Sequence, residues 1–194
     1  MPSLLDTTER FATRLLQEAL DPGFLYHDLA HTRRVVESTK EMLEHYGIEG
    51  KDRQVLLLAA WLHDTGYTQG REGHEKESSR IAAQFLLEQG LDQQATDRVC
   101  SLILATERYH QPTNLLEEII RDADASHLGQ EIYPEVSELL KQELAQMDVA
   151  HYTPQAWRDI QIEVFRSEHR FYTGYAREHW GPGKERHLQN LLKG

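Results

Sequence analysis

Eleven histidines in 194 residues are the first chemistry this chain offers, because imidazole is the common neutral metal ligand and titrates near neutral pH. Their settings matter more than their count. His63-Asp64 directly follows the run Val55-Leu56-Leu57-Leu58-Ala59-Ala60-Trp61-Leu62 and precedes Thr65-Gly66. A helix that is apolar on every side must be surrounded by others. A carboxylate at its C-terminal end meets the negative end of the helix dipole in a partly desolvated place, so it needs a positive partner. An arginine or a bound cation would serve. His27 and His31 are four apart in Tyr26-His27-Asp28-Leu29-Ala30-His31, so on a helix they share a face. That pair alone fits a surface role as well as a ligand role. In Leu115 to Leu128 two aspartates compete. Asp124 falls on the stripe of Leu116, Ile120 and Leu128, whereas Asp122, four after Glu118, falls toward the flank. Asp124 is the inward carboxylate on this pattern; Asp122 suits a hydrogen-bonding partner or a solvated charge.

These residues must be positioned by helices. Leu occurs 26 times and Ala 15, against 15 for Val and Ile together, a bias toward helix over sheet. No alternating strand pattern and no internal repeat is present. The chain breaks at Asp21-Pro22-Gly23, Gly47 to Gly50, Gly66 to Gly73, Gly90, Gln111-Pro112, Gly129 and Tyr152-Thr153-Pro154, with helical periodicity between. Such short breaks predict one all-α domain over residues 1–194, its central helix capped by Asp52 and stopped by Gly66. The net charge of −11 argues against a nucleic-acid coat and against an anionic membrane surface, while leaving room for a local phosphate pocket. A single cysteine, Cys100, excludes an intrachain disulfide framework and a Cys-based zinc cluster. No stretch approaches a membrane span and the opening residues lack a signal peptide, so a soluble cytoplasmic protein is the expectation.

A second tier of residues surrounds this set. His74 shares a helical face with Ser78, Ala82 and Phe85; His110 follows Val99, Ile103 and Thr106 by eleven, seven and four residues, again on one face. Each reads as a ligand or as a hydrogen-bonded core histidine. Arg34, one turn beyond His31, could clamp a phosphate or pair with a carboxylate, and the latter is preferred for Arg33. Lys76, Arg108 and Arg121 are phosphate-site candidates or solvated charges. His127 could reach the site or cap a helix; His45, His151, His169, His179 and His187 read as surface or local structural residues. Phe165, Phe171, Tyr172, Tyr175 and Trp180 read as core or as a homodimer contact.

Tyr-His-x3-His at 26–31, Leu-His-Asp-Thr-Gly at 62–66 and Asp-Ala-Asp at 122–124 together resemble the H…HD…D pattern of the HD superfamily of metal-dependent phosphohydrolases. The likeness covers a site-bearing core of about residues 24–129, with a weaker echo around His169 to Thr173 and at Lys184. It implies a single-domain helical bundle of the HD-domain type. The buried central helix would end in His63-Asp64, and C-terminal helices at about 133–192 would pack on the core. It implies His31, His63, Asp64 and Asp124 as ligands of a first divalent transition metal, with Mn, Fe, Ni, Co or Zn all suited to such a shell. His74 and His110 resemble the extra histidines of dinuclear members, in which Asp64 would bridge one ion to a second. His27 would be the leaving-group acid, Asp64 a catalytic ligand and Arg34 the phosphate-binding residue. The implied activity is hydrolysis of a phosphate ester of a nucleotide or other small phosphorylated metabolite by a metal-activated water. The alternatives are a di-iron oxygenase built on the same six residues, or a bundle that the metal merely staples. Gly66-Tyr67 is followed by Thr68 and not by the proline of the cyclic-dinucleotide class, which disfavours cyclic-di-GMP as substrate.

Overall fold

The structure is a computed structural model that describes residues 2–193. Every regular element among the described residues is helical, so the chain is all-α. It divides into two compact units. The first comprises the residues up to Asp21 with His27–Asp124; the second comprises Pro22–Tyr26 with Ala125 onward.

In the first unit, α1 (Leu4–Ala19) opens on a capping box in which Ser3 and Asp6 exchange side-chain-to-backbone hydrogen bonds. Asp28 caps α2 (Leu29–His45), its carboxylate accepting the His31 N–H at 2.9 Å. Helix α3 (Gly50–Leu62) is the central element: Val55 to Leu62 are all buried. Around it pack α1, α2, α4 (His74–Glu88), α5 (Gln93–Leu104) and α6 (Leu115–Asp124). Full burial of a leucine such as Leu58 is worth about 1.5–3 kcal/mol, so this run anchors the unit. Asp52 is not the cap. Helix α3 starts two residues earlier at Gly50, and Asp52 in its first turn pairs with Arg98 at 2.5 Å.

Gly66 does not stop α3 either. The α-helix ends at Leu62, and a 3-10 segment, Thr65–Gln69, follows. Gly66 is there because the chain passes too close for a side chain. A Cβ would sit 2.1 Å from the His74 carbonyl oxygen and 2.6 Å from the Ser78 nitrogen. That contact seats the start of α4 against the residues following Asp64. Gly73, at φ 68°, supplies the left-handed turn that launches α4.

In the second unit, a 3-10 segment (Ser126–Gly129) precedes α7 (Tyr133–Gln146), α8 (Pro154–Glu163), a π-helical turn (Val164–Glu168), α9 (Gly174–His179) and α10 (Gly181–Lys193). Leu128, Tyr133 and Phe165 form its core, with Ala125, Leu188 and Leu191 packed on them. The fully buried Glu143 accepts the Tyr26 N–H at 2.8 Å. Lys184 donates to the His169 carbonyl at 2.7 Å, with Phe165 and Phe171 beside its ammonium; burial lowers its pKa to about 8.

Candidate metal centre

Three helix ends of the first unit supply the site. His31 lies in the first turn of α2, held by the Asp28 cap; His63 is the C-cap of α3, with Asp64 next; Asp124 is the last residue of α6. His31 Nε2 lies 3.1 Å from Asp124 Oδ1, 3.2 Å from Asp64 Oδ2 and 3.3 Å from His63 Nε2. His63 Nε2 lies 3.3 Å from Asp64 Oδ2 and 3.7 Å from Asp124 Oδ1. His31, His63 and Asp124 each turn a ligand atom into one space, all within 4.8 Å of one another.

The hydrogen bonding shows what these atoms are prepared for. His63 Nδ1 lies 2.9 Å from the Ala60 carbonyl oxygen, which can only accept. The ring proton is therefore on Nδ1, and the Nε2 lone pair faces the cluster. Asp64 Oδ2 is buried and has no hydrogen-bond partner, although two imidazoles stand beside it. Two donors each about 2.1 Å from one ion, in tetrahedral or octahedral arrangement, are about 3.0–3.4 Å apart. The closest contacts here fall in that interval. A buried, orphaned carboxylate oxygen facing two imidazoles at ligand-to-ligand spacing fits a divalent cation.

The electrostatics agree. Burial alone would depress both imidazoles, but Asp124 and Asp64 outweigh it, raising His31 and raising His63 well above the ordinary histidine value. Burial would likewise raise both carboxylates, yet the two histidines hold Asp64 and Asp124 below the ordinary range. The cluster attracts positive charge, whether as protons or as a metal.

The second tier divides. His74, first residue of α4, directs Nδ1 to the Arg71 carbonyl at 3.1 Å and Nε2 toward Asp64 Oδ1 at 3.7 Å. His27 is not on a helix with His31, because α2 begins only at Leu29; its ring nevertheless lies 5.9 Å from that of His31. His110 differs more. Helix α5 ends at Leu104, so the helical face drawn through Thr106 does not exist, and His110 lies instead in a loop with Nε2 3.0 Å from Glu117 Oε2. Asp122 is almost fully buried while the Asp124 side chain is a third exposed, the reverse of the periodicity argument. Asp124 reaches the cluster from the terminus of its helix, where the stripe no longer dictates direction. Arg121 is no phosphate ligand: it donates to the carbonyls of Ala105, Glu107 and Arg108. Arg108 lies against Tyr109, and Lys76 is exposed on α4. Arg34 has a buried Nε without a hydrogen-bond partner. In the second unit His127 meets the Tyr26 hydroxyl, and the buried His187 contacts the Gln130 carbonyl.

Two residues escaped the sequence reading. Glu117 accepts from Thr113 and Asn114 as well as facing His110, which holds it below the usual carboxylate range despite burial. Asn114 Oδ1 accepts the Glu117 N–H as an N-cap side chain does, and the spacing Asn114-x-x-Glu117 is the signal that could have revealed it. Tyr67, buried beside two of the site histidines, had only its position after His-Asp-Thr-Gly to mark it.

A family model described as the HD domain matches residues 25–129, more than half of the chain and all of the cluster. The chain belongs to the HD domain family. HD domains bind divalent metals, and the family consists mostly of metal-dependent phosphohydrolases with some non-hydrolytic members. No curated protein and no solved structure matched this HD chain. No helix among its described residues is long and apolar enough to cross a membrane.

Proposed function

We propose that this HD protein is a metal-dependent phosphohydrolase acting on a phosphate ester of a nucleotide or other small phosphorylated metabolite. His31, His63, Asp64 and Asp124 hold the first ion. The observation that carries the reading is the buried Asp64 Oδ2 without a hydrogen-bond partner between two imidazole nitrogens. When bound, a divalent cation such as Mn, Fe, Ni, Co or Zn supplies Lewis-acid charge and a water of lowered pKa.

The chain's own groups do the rest. Asp64 divides its oxygens, Oδ2 toward His31 and His63 and Oδ1 toward His74, so one carboxylate serves both sides of the centre. Arg34, with its uncommitted buried Nε, holds a phosphoryl oxygen. His27 gives a proton to the leaving oxygen as its bond to phosphorus breaks. A second ion would find fewer protein donors than the first, because His74 faces Asp64 while His110 is engaged by Glu117. That engagement also favours hydrolysis over a di-iron oxygenase needing all six residues.

Elemental analysis of the purified protein, paired with a screen of phosphomonoesters and phosphodiesters before and after chelation, tests the proposal. Bound transition metal and chelator-sensitive turnover are expected. Turnover that survives complete metal removal, or a reconstituted protein that takes up no metal, would sink it.

A further inference from the structure

We infer that Tyr67 is a positioning residue that sets the ring planes of His27 and His74. Its phenol ring stacks on the His27 imidazole, with centroids 4.3 Å apart and planes 21° from parallel. It stacks also on His74, at 4.0 Å and 25°. The two imidazoles are themselves 6.5 Å apart, so three rings form one contiguous group beside Asp64. None of this follows from helix geometry. His27 precedes the cap of α2 and lies outside any helix, while His74 is the first residue of α4 after a left-handed glycine, so neither sits in a helix interior.

Tyr67 itself is firmly placed. It is buried, its N–H donates to the Asp64 carbonyl at 3.1 Å, and its own carbonyl accepts from Gly70. The tyrosine is therefore tied by a backbone hydrogen bond to Asp64, whose carboxylate faces His74. Offset stacking of aromatic faces restricts ring rotation that a hydrogen bond at one nitrogen leaves open. A proton donor must be held close to its productive geometry, and a displacement of about 1 Å can cost a hundredfold in rate. The role of the stack in turnover rests on the hydrolase reading; the stack itself does not.

Two measurements separate them. In the metal-free protein, ring stacking displaces the His27 and His74 ring C–H proton resonances upfield, each assigned by its loss in His27→Asn and His74→Asn. Tyr67→Phe keeps that displacement, while Tyr67→Met, which preserves bulk with a flexible side chain, returns both resonances toward ordinary imidazole positions. Ordinary positions in the unsubstituted protein, or no change in Tyr67→Met, would overturn the inference whatever the protein catalyses. If Tyr67→Met does not fold, the unsubstituted spectrum still decides. On a substrate found by the screen, Tyr67→Met should lower kcat roughly 10- to 100-fold with KM and bound first metal unchanged, and Tyr67→Phe should restore kcat. An equal loss in Tyr67→Phe would assign the effect to the hydroxyl and reject positioning by stacking.

Discussion

The Nε2 atoms of His31 and His63 lie 3.3 Å apart with Asp64 Oδ2 3.2 and 3.3 Å from them. Two imidazole lone pairs at that spacing repel unless positive charge lies between, and the choice is a proton or a cation. The two compete, which makes the centre pH-dependent.

Metal affinity should therefore fall as pH falls. Without metal, His31 and His63 are raised above the ordinary histidine value, so they hold protons that an entering ion must displace. The sign for stability is opposite in the two forms. In metal-free protein a raised histidine contributes stability that is full below about pH 6.5 and lost as pH rises through the raised folded value. The lowered Asp64 and Asp124 contribute stability that is present above the ordinary carboxylate range and lost as pH falls through their folded values. Raising pH above neutrality should thus lower the metal-free melting temperature while strengthening metal binding. Chelator competition and thermal melts across pH check both; a flat affinity profile would contradict the cluster's electrostatics.

Asp124→Asn should lose the first ion, because Oδ1 is the atom 3.1 Å from His31 Nε2. Asp122→Asn should keep it, with at most a loss of about 10–100-fold in affinity. Its cost lies in stability instead, about 1–3 kcal/mol, because Asp122 is almost fully buried. Metal content and urea midpoints on the same preparations distinguish the two, and comparable metal loss in both would show that Asp122 also binds.

The contrast between these aspartates marks how far the sequence could be read. The uniformly apolar run Val55 to Leu62 has only one physical solution, burial on all sides, and the His-Asp pair at its end inherits a fixed place. Periodicity works while a helix continues. It picked Asp124, which turns into the cluster, but set Asp122 toward the flank although it is almost fully buried, and it misjudged His110 because α5 ends at Leu104. The carbonyls beyond that end are satisfied by Arg121, which lies 16 residues after Ala105, and a cap from that distance leaves no local trace.

Arg121→Ala should destabilise the protein by about 2–3 kcal/mol, since a charged donor serves three carbonyls of the segment between α5 and α6. Arg121→Lys should recover little, because one ammonium cannot reproduce the planar fork that reaches all three. Denaturant melts measure the loss. First-ion content should stay intact in the folded fraction; its disappearance would mean the arginine acts on the centre and not on the loop.

Gly66 and Gly70 offer a paired test of why the turn after Asp64 has its shape. Gly70 has φ 132° and nothing within 4 Å of where a Cβ would sit, so Gly70→Ala suffers backbone strain alone, about 1–3 kcal/mol. Gly66 has the opposite problem. Its Cβ would meet the His74 carbonyl oxygen at 2.1 Å, the Ser78 nitrogen at 2.6 Å and Ser78 Oγ at 2.8 Å. Two of those are backbone atoms and cannot rotate away, so the start of α4 must move, taking His74 from Asp64. The Gly66 N–H to Ser78 Oγ hydrogen bond, 2.7 Å, would go with it. Gly66→Ala should therefore cost about 3 kcal/mol or more, and it should weaken any second ion and lower turnover in the protein that still folds. Ser78→Ala, which removes the hydrogen bond without the clash, should cost only about 1–2 kcal/mol and leave the second-ion stoichiometry unchanged. If Gly66→Ala binds metal and turns over as well as Gly70→Ala at equal folded fraction, the packing of α4 against this glycine does not position His74.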